Sequence, residues 1–165
     1  MKDDSSISIR LAELQDVDVI HEMIMALARA TNDQDKAVST PNDFLKSGFG
    51  AKPLFDALIA EKDGDPVGLC VYFFSFSTWL GEPGVYVQDL YVKESERGTG
   101  LGLRLLQETA RRARKRDATH LRLTVDRENI AARQFYERVG MHHREDEFTF
   151  HIGKNGFLAM AGDRE

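Results

Sequence analysis

The sequence predicts a mixed α/β fold in which helices flank a central sheet, organised as one domain over residues 1–165. Two observations lead to this class. After several strand patterns, the second half of the chain alternates strand, helix, strand and helix, which requires at least one parallel crossover in the sheet. The 165 residues, 42% of them hydrophobic, are also enough for one domain with a substantial core.

The first third of the chain predicts one strand followed by two helices. The alternation in "ISIRLA" is typical of a short strand, and "LQDVDVIHEMIMALARA" follows with Asp16 as a candidate N-cap. Apolar residues recur there at helical spacing. They are Val17, Ile20, Ile24, Leu27 and Ala28. A polar loop comes next, and Pro41 begins a second helix that we expect to end at Gly48.

The middle of the chain predicts strands. The runs "LFDALIAEK" and "PVGLCVYFFSF" flank the turn "DGDP", where Asp63 and Gly64 favour a hairpin. The run "PGVYVQDLYV" predicts a further strand, which a helix from about Gly100 to Arg116 follows. The apolar "THLRLTV" then predicts another strand.

The last third predicts a helix and a hairpin. The segment "NIAARQFYERVG" has helical periodicity and is closed by Gly140. The final "FTFHIGKNGFLAM" favours two short strands around "GKNG". No internal repeat, low-complexity tract or interdomain linker is present in the sequence.

Composition excludes several classes of function. With 27 acidic and 22 basic side chains the net charge is −5, so we expect no nucleic-acid partner. Cys70 is the only cysteine, and His142, His143 and His151 lack companion ligands, so we expect neither a disulfide nor a metal site. The start has no secretory pattern, and the longest apolar-rich run, "LCVYFFSFSTWL", is too short for a bilayer. We therefore expect a cytoplasmic protein without a membrane partner.

Glycines cluster where a predicted strand passes into a predicted helix, in the segment "RGTGLGL" at 97–103. Bare backbone N–H groups at such a turn admit an anion closely, and the helix dipole favours a pyrophosphate. Arg97 can add a side-chain contact. A tight turn or helix start without a ligand is the alternative. Three alternate glycines after an arginine favour the phosphate interpretation.

The spacing of these glycines disfavours two common nucleotide sites. A Rossmann fingerprint needs a small residue where Leu103 stands, and a P-loop needs Gly-Lys-Ser or Gly-Lys-Thr, which is absent. The remaining pattern, R-x-x-G-x-G, is formed by Arg97, Gly100 and Gly102. It resembles the acetyl-coenzyme A (acetyl-CoA) signature of the GNAT N-acetyltransferases.

The resemblance extends over residues 7–152. The segment "VQDLYV" is similar to the fourth strand of that family, and "NIAARQFYERVGM" is similar to its helix that runs from an asparagine to a tyrosine. Three further segments resemble diamine acetyltransferases of the spermidine/spermine type. They are "GFG" at 48–50, "YFFSFSTWLG" at 72–81 and "FLAM" at 157–160.

The resemblance implies the GNAT acyl-CoA N-acyltransferase fold, a mixed sheet whose fourth and fifth strands splay apart. The backbone of the strand before the glycine turn would then bind the pantetheine arm of acetyl-CoA as an added strand, whereas the residues alone predict a fully paired buried strand. The implied cofactor-binding residues are Leu90, Tyr91, Val92, Arg97, Gly98, Thr99, Gly100, Leu101, Gly102, Leu103, Asn129 and Ala132.

By the same resemblance, Tyr136 is a catalytic acid. Attack of an amine on the thioester expels a thiolate, and a phenol with an ordinary pKa of about 10 can protonate it. From the residues alone, Tyr136 next to Phe135 would be a packed aromatic side chain with its hydroxyl at the surface.

Gln88 departs from the pattern of the diamine acetyltransferases, which typically carry a glutamate base there. An alkylammonium with a pKa of about 10 must lose a proton before it attacks. Glutamine cannot accept that proton, so Asp89, a water chain or the bulk pH must serve instead. Strand alternation predicts that Asp89 faces away from Gln88. A structural carboxylate is the alternative role for Asp89.

These features predict direct acetyl transfer from acetyl-CoA to a small primary amine such as a diamine, a polyamine or a lysine analogue. Polyamine enzymes carry an aromatic and acidic residues where Ala30 and Thr31 stand here, with Asp33 and Asp35 only later. The alternatives are an acetyltransferase for protein or peptide amino groups, and a CoA-binding module that has lost catalysis, which Gln88 favours. The resemblance also implies a homodimer.

Overall fold

Five strands form one mixed sheet within residues 7–162, the part of the chain that the computed structural model describes. In spatial order they are β1 (Ile7–Leu11), β2 (Asp56–Lys62), β3 (Asp65–Ser77), β4 (Glu82–Val92) and β5 (His120–Arg122). Each of β1 to β4 is antiparallel to its neighbours in that series, whereas β5 pairs parallel to β4. The mixed α/β class and its parallel crossover are therefore confirmed.

The described residues fall into two compact units, one up to Asn129 and the other from Ile130. The larger unit holds the sheet and three helices, α1 (Val17–Ala30), α2 (Pro41–Phe49) and α3 (Leu101–Arg114). The smaller unit holds α4 (Ile130–Arg138) and α5 (Lys154–Ala161). Within residues 7–162, no helix combines the length and the hydrophobicity needed to cross a bilayer.

Helices cover both faces of the sheet in the larger unit. On one face, Ile20 and Met23 of α1 pack with Ile59, Leu69 and Val71 of β2 and β3 in a buried cluster. Burial of such side chains is the main source of stability for the unit. We call this side of the sheet the α1 face.

The opposite face of the sheet packs against α3, and we call it the α3 face. The Cys70 thiol lies 3.3 Å from the Thr109 hydroxyl of α3, and both side chains are buried. A Cβ atom at Gly68 would lie 3.1 Å from the Leu105 side chain, tighter than most real contacts. The glycine therefore allows α3 to approach the sheet closely.

The hairpin between β2 and β3 forms as predicted. Asp63 and Gly64 have φ angles of 53° and 86°, so both adopt the left-handed conformation that a tight two-residue hairpin turn requires. Aspartate tolerates this region, and glycine adopts it without steric cost.

Asp16 occupies the predicted N-cap position of α1, but its side chain does not cap that helix. The buried carboxylate instead accepts hydrogen bonds from Nη1 and Nη2 of Arg10 at 2.7 and 2.9 Å, and from the backbone N–H of Glu13 at 2.7 Å. Arg10 also contacts Glu61 at 2.6 Å, which ties β1 to β2. The guanidinium holds the pKa of Asp16 below its usual value.

Replacing Arg10 by methionine should destabilise the fold by about 2 kcal/mol, because it leaves the buried Asp16 carboxylate without its cation. Urea unfolding at pH 7 measures this loss. Because the folded-state pKa of Asp16 is lowered, the contribution should fade as the pH falls below about 4. Arg114→Met removes an arginine whose distance to Asp117 is 3.9 Å, at the surface, and should leave stability unchanged. Equal effects of the two substitutions would contradict this assignment.

The predicted hairpin around "GKNG" is wrong, because α5 begins at Lys154 and the preceding residues form no strand. A pattern of period two produces a strand only where a neighbouring strand supplies hydrogen bonds, and none among the described residues pairs with this segment. Leu158, Ala159 and Met160 are strong helix formers. The helix ends at Gly162, whose φ of 88° fits a left-handed C-terminal residue.

Candidate functional site

Strands β4 and β5 separate soon after they meet. They pair only from Gly84–His120 to Tyr86–Arg122, whereas β4 continues to Val92. From Val87 onward, no strand of residues 7–162 pairs with β4 on its β5 side. Backbone polar groups along this edge can therefore pair with an extended ligand, as an added strand would.

A β-bulge lies in β4 at the start of this gap. Val87 is opposite Tyr72 and Asp89 is opposite Val71, so Gln88 is an extra residue without a partner of its own. Strict alternation fails at this point, and the prediction that Gln88 and Asp89 face opposite sides loses its basis. Bulges commonly redirect a side chain beside a functional site.

The bulge places Asp89 on the α1 face of the sheet. Its partner Val71 belongs to the buried cluster on that face, and Tyr91, two residues further along β4, packs against the same cluster. The carboxyl is half-buried, and the loss of hydration raises its pKa to about 6. Gln88 is exposed and does not titrate in this range. Asp89 is therefore the group at the bulge that can exchange a proton near neutral pH.

The turn after β4 contains two glycines in the left-handed conformation. Gly98 and Gly100 have φ angles of 75° and 87°, and nothing lies within 4 Å of the position that a Cβ atom would occupy at either residue. The N-cap of α3 is Gly100, and no side chain caps the helix there. The N–H groups of the first turn, which includes Gly102, are thus left to a ligand or to water.

Side-chain hydrogen bonds to backbone carbonyl oxygens stabilise this turn. The Thr99 hydroxyl donates to the carbonyl oxygen of Glu96 at 2.6 Å, and Nε of Arg97 donates to that of Val92 at 3.2 Å. The Glu96 side chain is buried and lies 2.9 Å from Nζ of Lys62 at the end of β2. Sequence patterns gave no signal for the Lys62–Glu96 pair, because its two residues lie in separate elements.

A cleft of about 570 Å³ opens beside the last residues of β4. Tyr91 and Lys93 line it from the sheet side, and α1 contributes Met23, Glu22 and Arg29. This volume is in the range of sites that hold small organic molecules. The lining combines apolar walls with charges of both signs.

A pair of hydroxyl groups closes the narrow end of the gap between β4 and β5. The Tyr86 phenol lies 2.8 Å from the Thr124 hydroxyl, two residues beyond the last pair of the two strands. The Tyr86 ring also stacks on Phe73 of β3, with centroids 5.1 Å apart. No local sequence pattern indicates this bridge, because Tyr86 and Thr124 lie 38 residues apart.

Three of the predicted site residues lie at or beyond the end of the larger unit. Asn129 is the last residue of that unit, and Ala132 and Tyr136 lie on α4 of the smaller one. The ring of Tyr136 packs edge-on against that of Phe135, with centroids 5.2 Å apart. The backbone carbonyl oxygen of Tyr136 accepts a hydrogen bond from the backbone N–H of Met141. Gly140, with a φ of 90°, ends this helical segment as predicted.

The thiol of Cys70 is not positioned for nucleophilic chemistry. The side chain is fully buried on the α3 face, and burial raises its pKa to about 12. Within residues 7–162, no group of three His, Cys, Asp or Glu side chains could hold a metal ion.

Comparisons with known proteins identify a family and several relatives of this chain. A family model described as "Acetyltransferase (GNAT) family" matches residues 21–141. Thialysine N-epsilon-acetyltransferase of Bos taurus is 33% identical over 142 residues, which are 81% of this chain and 83% of that protein. Spermidine/spermine N(1)-acetyltransferase-like protein 1 of Homo sapiens is 30% identical over 87% of this chain and 22% of its own length.

Solved structures show the same fold at lower sequence identity. An integron cassette protein from the mobile metagenome of V. cholerae superimposes with a TM-score of 0.80 and 22% identity. The match covers 94% of this chain and 98% of that structure.

Proposed function

Because the chain belongs to the acetyltransferase (GNAT) family, we propose that it transfers the acetyl group of acetyl-CoA directly to a small primary amine. Relatives of this family use acetyl-CoA as the co-substrate, and the chain is accordingly an N-acetyltransferase. The observation that carries the proposal is the unpaired edge of β4, which leads into a turn of left-handed glycines at the start of α3.

The β4 edge and the turn that follows it are suited to two parts of the coenzyme, the pantetheine arm and the pyrophosphate. Backbone groups of Leu90–Val92 would bind the pantetheine arm as an added strand, and the turn from Arg97 to Leu103 would bind the pyrophosphate. The left-handed glycines at the N-terminus of α3, which no side chain caps, support this assignment. By the family resemblance, Asn129 and Ala132 would also contact the coenzyme.

Asp89 would act as the base. Bound acetyl-CoA supplies an activated acyl group, but an ammonium cannot attack it until a proton is removed. With its pKa raised to about 6, Asp89 is ionised at pH 7 yet basic enough to accept a proton, directly or through water. Gln88, exposed at the bulge, would orient the amine or a water by hydrogen bonding.

Tyr136 would donate a proton to the departing thiolate, as the family resemblance implies. A phenol is a suitable donor because its ordinary pKa of about 10 is close to that of a thiol. The burial of Cys70 supports transfer in a ternary complex, because the chain's only cysteine is shielded and cannot carry a covalent acetyl group.

The acceptor we propose is a lysine-like amino acid or a short diamine. The cleft beside β4 contains Arg29 and Lys93, which would repel a long polycation, together with the acidic Glu22. Mixed charges suit an acceptor that carries both a carboxylate and amines. The relatives named for thialysine support the same class.

Release of free thiol in the presence of acetyl-CoA and an amine panel tests this function. We expect thialysine, lysine, ornithine and a diamine to release thiol faster than spermine or a peptide with a free N-terminus. The highest rate with the peptide would favour a protein acetyltransferase. Binding of acetyl-CoA without release by any amine would indicate a module that has lost catalysis.

Gly100→Val should weaken acetyl-CoA binding about 10- to 100-fold. The added side chain would occupy the space proposed for the pyrophosphate and prevent its charge-assisted hydrogen bonds to the backbone N–H groups of the turn. Isothermal titration calorimetry measures the change in Kd. Gly64→Val is a matched control, since Gly64 in the β2–β3 hairpin has a φ of 86° against 87° for Gly100 and equally open surroundings. Both variants carry the same backbone strain, so equal Kd values would contradict the placement of the pyrophosphate.

The homodimer implied by the resemblance is part of the same proposal. Phe76, Trp79 and Leu80 lie exposed at the β3–β4 hairpin, with Trp79 99% exposed. Three exposed apolar residues at one hairpin are typical of a surface that associates with another protein.

A further inference from the structure

The bridge between Tyr86 and Thr124 lies where an acyl group would have to fit. Tyr86 forms the last pair with β5, opposite Arg122, and Thr124 lies two residues further along. Had the pairing continued, Thr124 would be level with Gln88. The Tyr86 side chain therefore reaches across the gap and meets Thr124 at 2.8 Å, beside the bulge.

The direction of β4 determines which end of a bound donor meets this bridge. If the pyrophosphate is held at residues 97–103, an arm that follows the β4 edge passes Val92 first and Leu90 later. It then reaches the bulge at Gln88, where Asp89 provides the base. The acyl carbons beyond the reacting carbonyl carbon would then point toward Tyr86.

We propose that Tyr86, held by Thr124, determines acyl specificity by closing the inner end of the gap, so that the site takes acetyl but not longer acyl groups. This inference rests on the proposed function. It assigns Tyr86 as a specificity-determining residue and Thr124 as the positioning residue that holds it.

The surroundings of Tyr86 oppose its displacement. Its ring stacks on Phe73 at an interplanar angle of 24°, and the hydroxyl bridge holds the other end of the side chain. Moving the phenol would break both contacts at once. A longer acyl chain would therefore have to displace a side chain that is held at two points, and the cost of doing so should grow with each added methylene.

The wild-type protein should discriminate among donors by length. We expect kcat/KM with a fixed amine to fall about 10-fold for each methylene added, from acetyl-CoA to propionyl-CoA to butyryl-CoA. The Kd of each acyl-CoA, measured by calorimetry without amine, should rise in the same order, while CoA itself binds as tightly as acetyl-CoA.

Tyr86→Leu should remove the ring that limits the length of the acyl group, and Thr124→Ala should remove the hydrogen bond that holds this ring in place. In Tyr86→Leu, the ratio of Kd for butyryl-CoA to Kd for acetyl-CoA should fall at least about 10-fold, with a smaller fall in Thr124→Ala. Phe150→Leu is the control, since Phe150 is an exposed aromatic residue of the smaller unit and its loss should leave the ratio unchanged.

Two results would overturn the inference. One is a wild-type protein that binds and uses butyryl-CoA as well as acetyl-CoA, an outcome that does not depend on the folding of any variant. The other is an unchanged Kd ratio in a folded Tyr86→Leu protein. Failure of the proposed function would differ, since no acyl-CoA would then support amine-dependent thiol release in any variant.

Discussion

Asp89→Asn should lower kcat about 1,000-fold at pH 7, with the Kd of acetyl-CoA nearly unchanged. Asparagine has almost the same shape as aspartate but cannot accept a proton, so the amine would stay protonated in the site. Steady-state kinetics with the best amine of the panel measure the loss. A variant that keeps wild-type turnover would assign Asp89 a structural role.

The same substitution should stabilise the protein at pH 7. The folded-state pKa of Asp89, about 6, lies above the unfolded value of about 3.9, so the native state binds more protons between these values. Stability from this group is present at low pH and declines as the pH rises from about 4 to 6. Asparagine mimics the protonated form, and we expect a gain of about 1–3 kcal/mol in urea unfolding at pH 7. A purely structural carboxylate would give a loss instead.

The pH profile separates Asp89 from its neighbour. In the wild type, kcat/KM should rise with pH through about 6 as Asp89 ionises, and rise further as the amine itself loses its proton. Gln88→Glu adds a second carboxylate at the bulge and should move the rise to lower pH if that side chain reaches the amine. If the pH profiles of the wild type and Gln88→Glu superimpose, Asp89 rather than residue 88 accepts the proton of the amine.

Tyr136→Phe should lower kcat about 100-fold while the Kd of acetyl-CoA stays within a few-fold of wild type. The change removes one hydroxyl and keeps the ring that packs on Phe135. Stopped-flow measurement of thiol release, paired with calorimetry, distinguishes loss of the proton donor from loss of binding. Gln134→Ala, an exposed change on the same helix, is the control and should retain full activity. Equal rates in the two variants would make Tyr136 a packing residue.

Elements with strong local patterns were predictable from the sequence. The helical periodicity of α1 gave the correct helix, and Asp63 with Gly64 gave the hairpin, because the turn conformation depends on those two residues alone. The glycine turn before α3 was predictable for the same reason. Gly98 and Gly100 adopt the left-handed conformation, which residues with a Cβ atom rarely adopt.

Features that depend on tertiary contacts were not predictable. The bulge at Gln88 arises from the register of β3 against β4, which no single strand pattern reveals, so strict alternation is no basis for the relative orientation of Gln88 and Asp89. The Tyr86–Thr124 bridge depends on where β5 leaves β4. Asp16 was predicted as a cap from its local position, but its carboxylate is bound by Arg10 of β1, which also contacts Glu61 of the neighbouring strand β2.

A single-turnover reaction with acetyl-CoA labelled in its acetyl group tests direct transfer most directly. Enzyme in excess over labelled donor is mixed with amine, quenched, and separated into protein and small molecules for mass spectrometry. Direct transfer predicts that the label moves to the nitrogen of the amine as thiol is released, with none on the protein when amine is omitted. Label that first accumulates on the protein and then passes to the amine would contradict it.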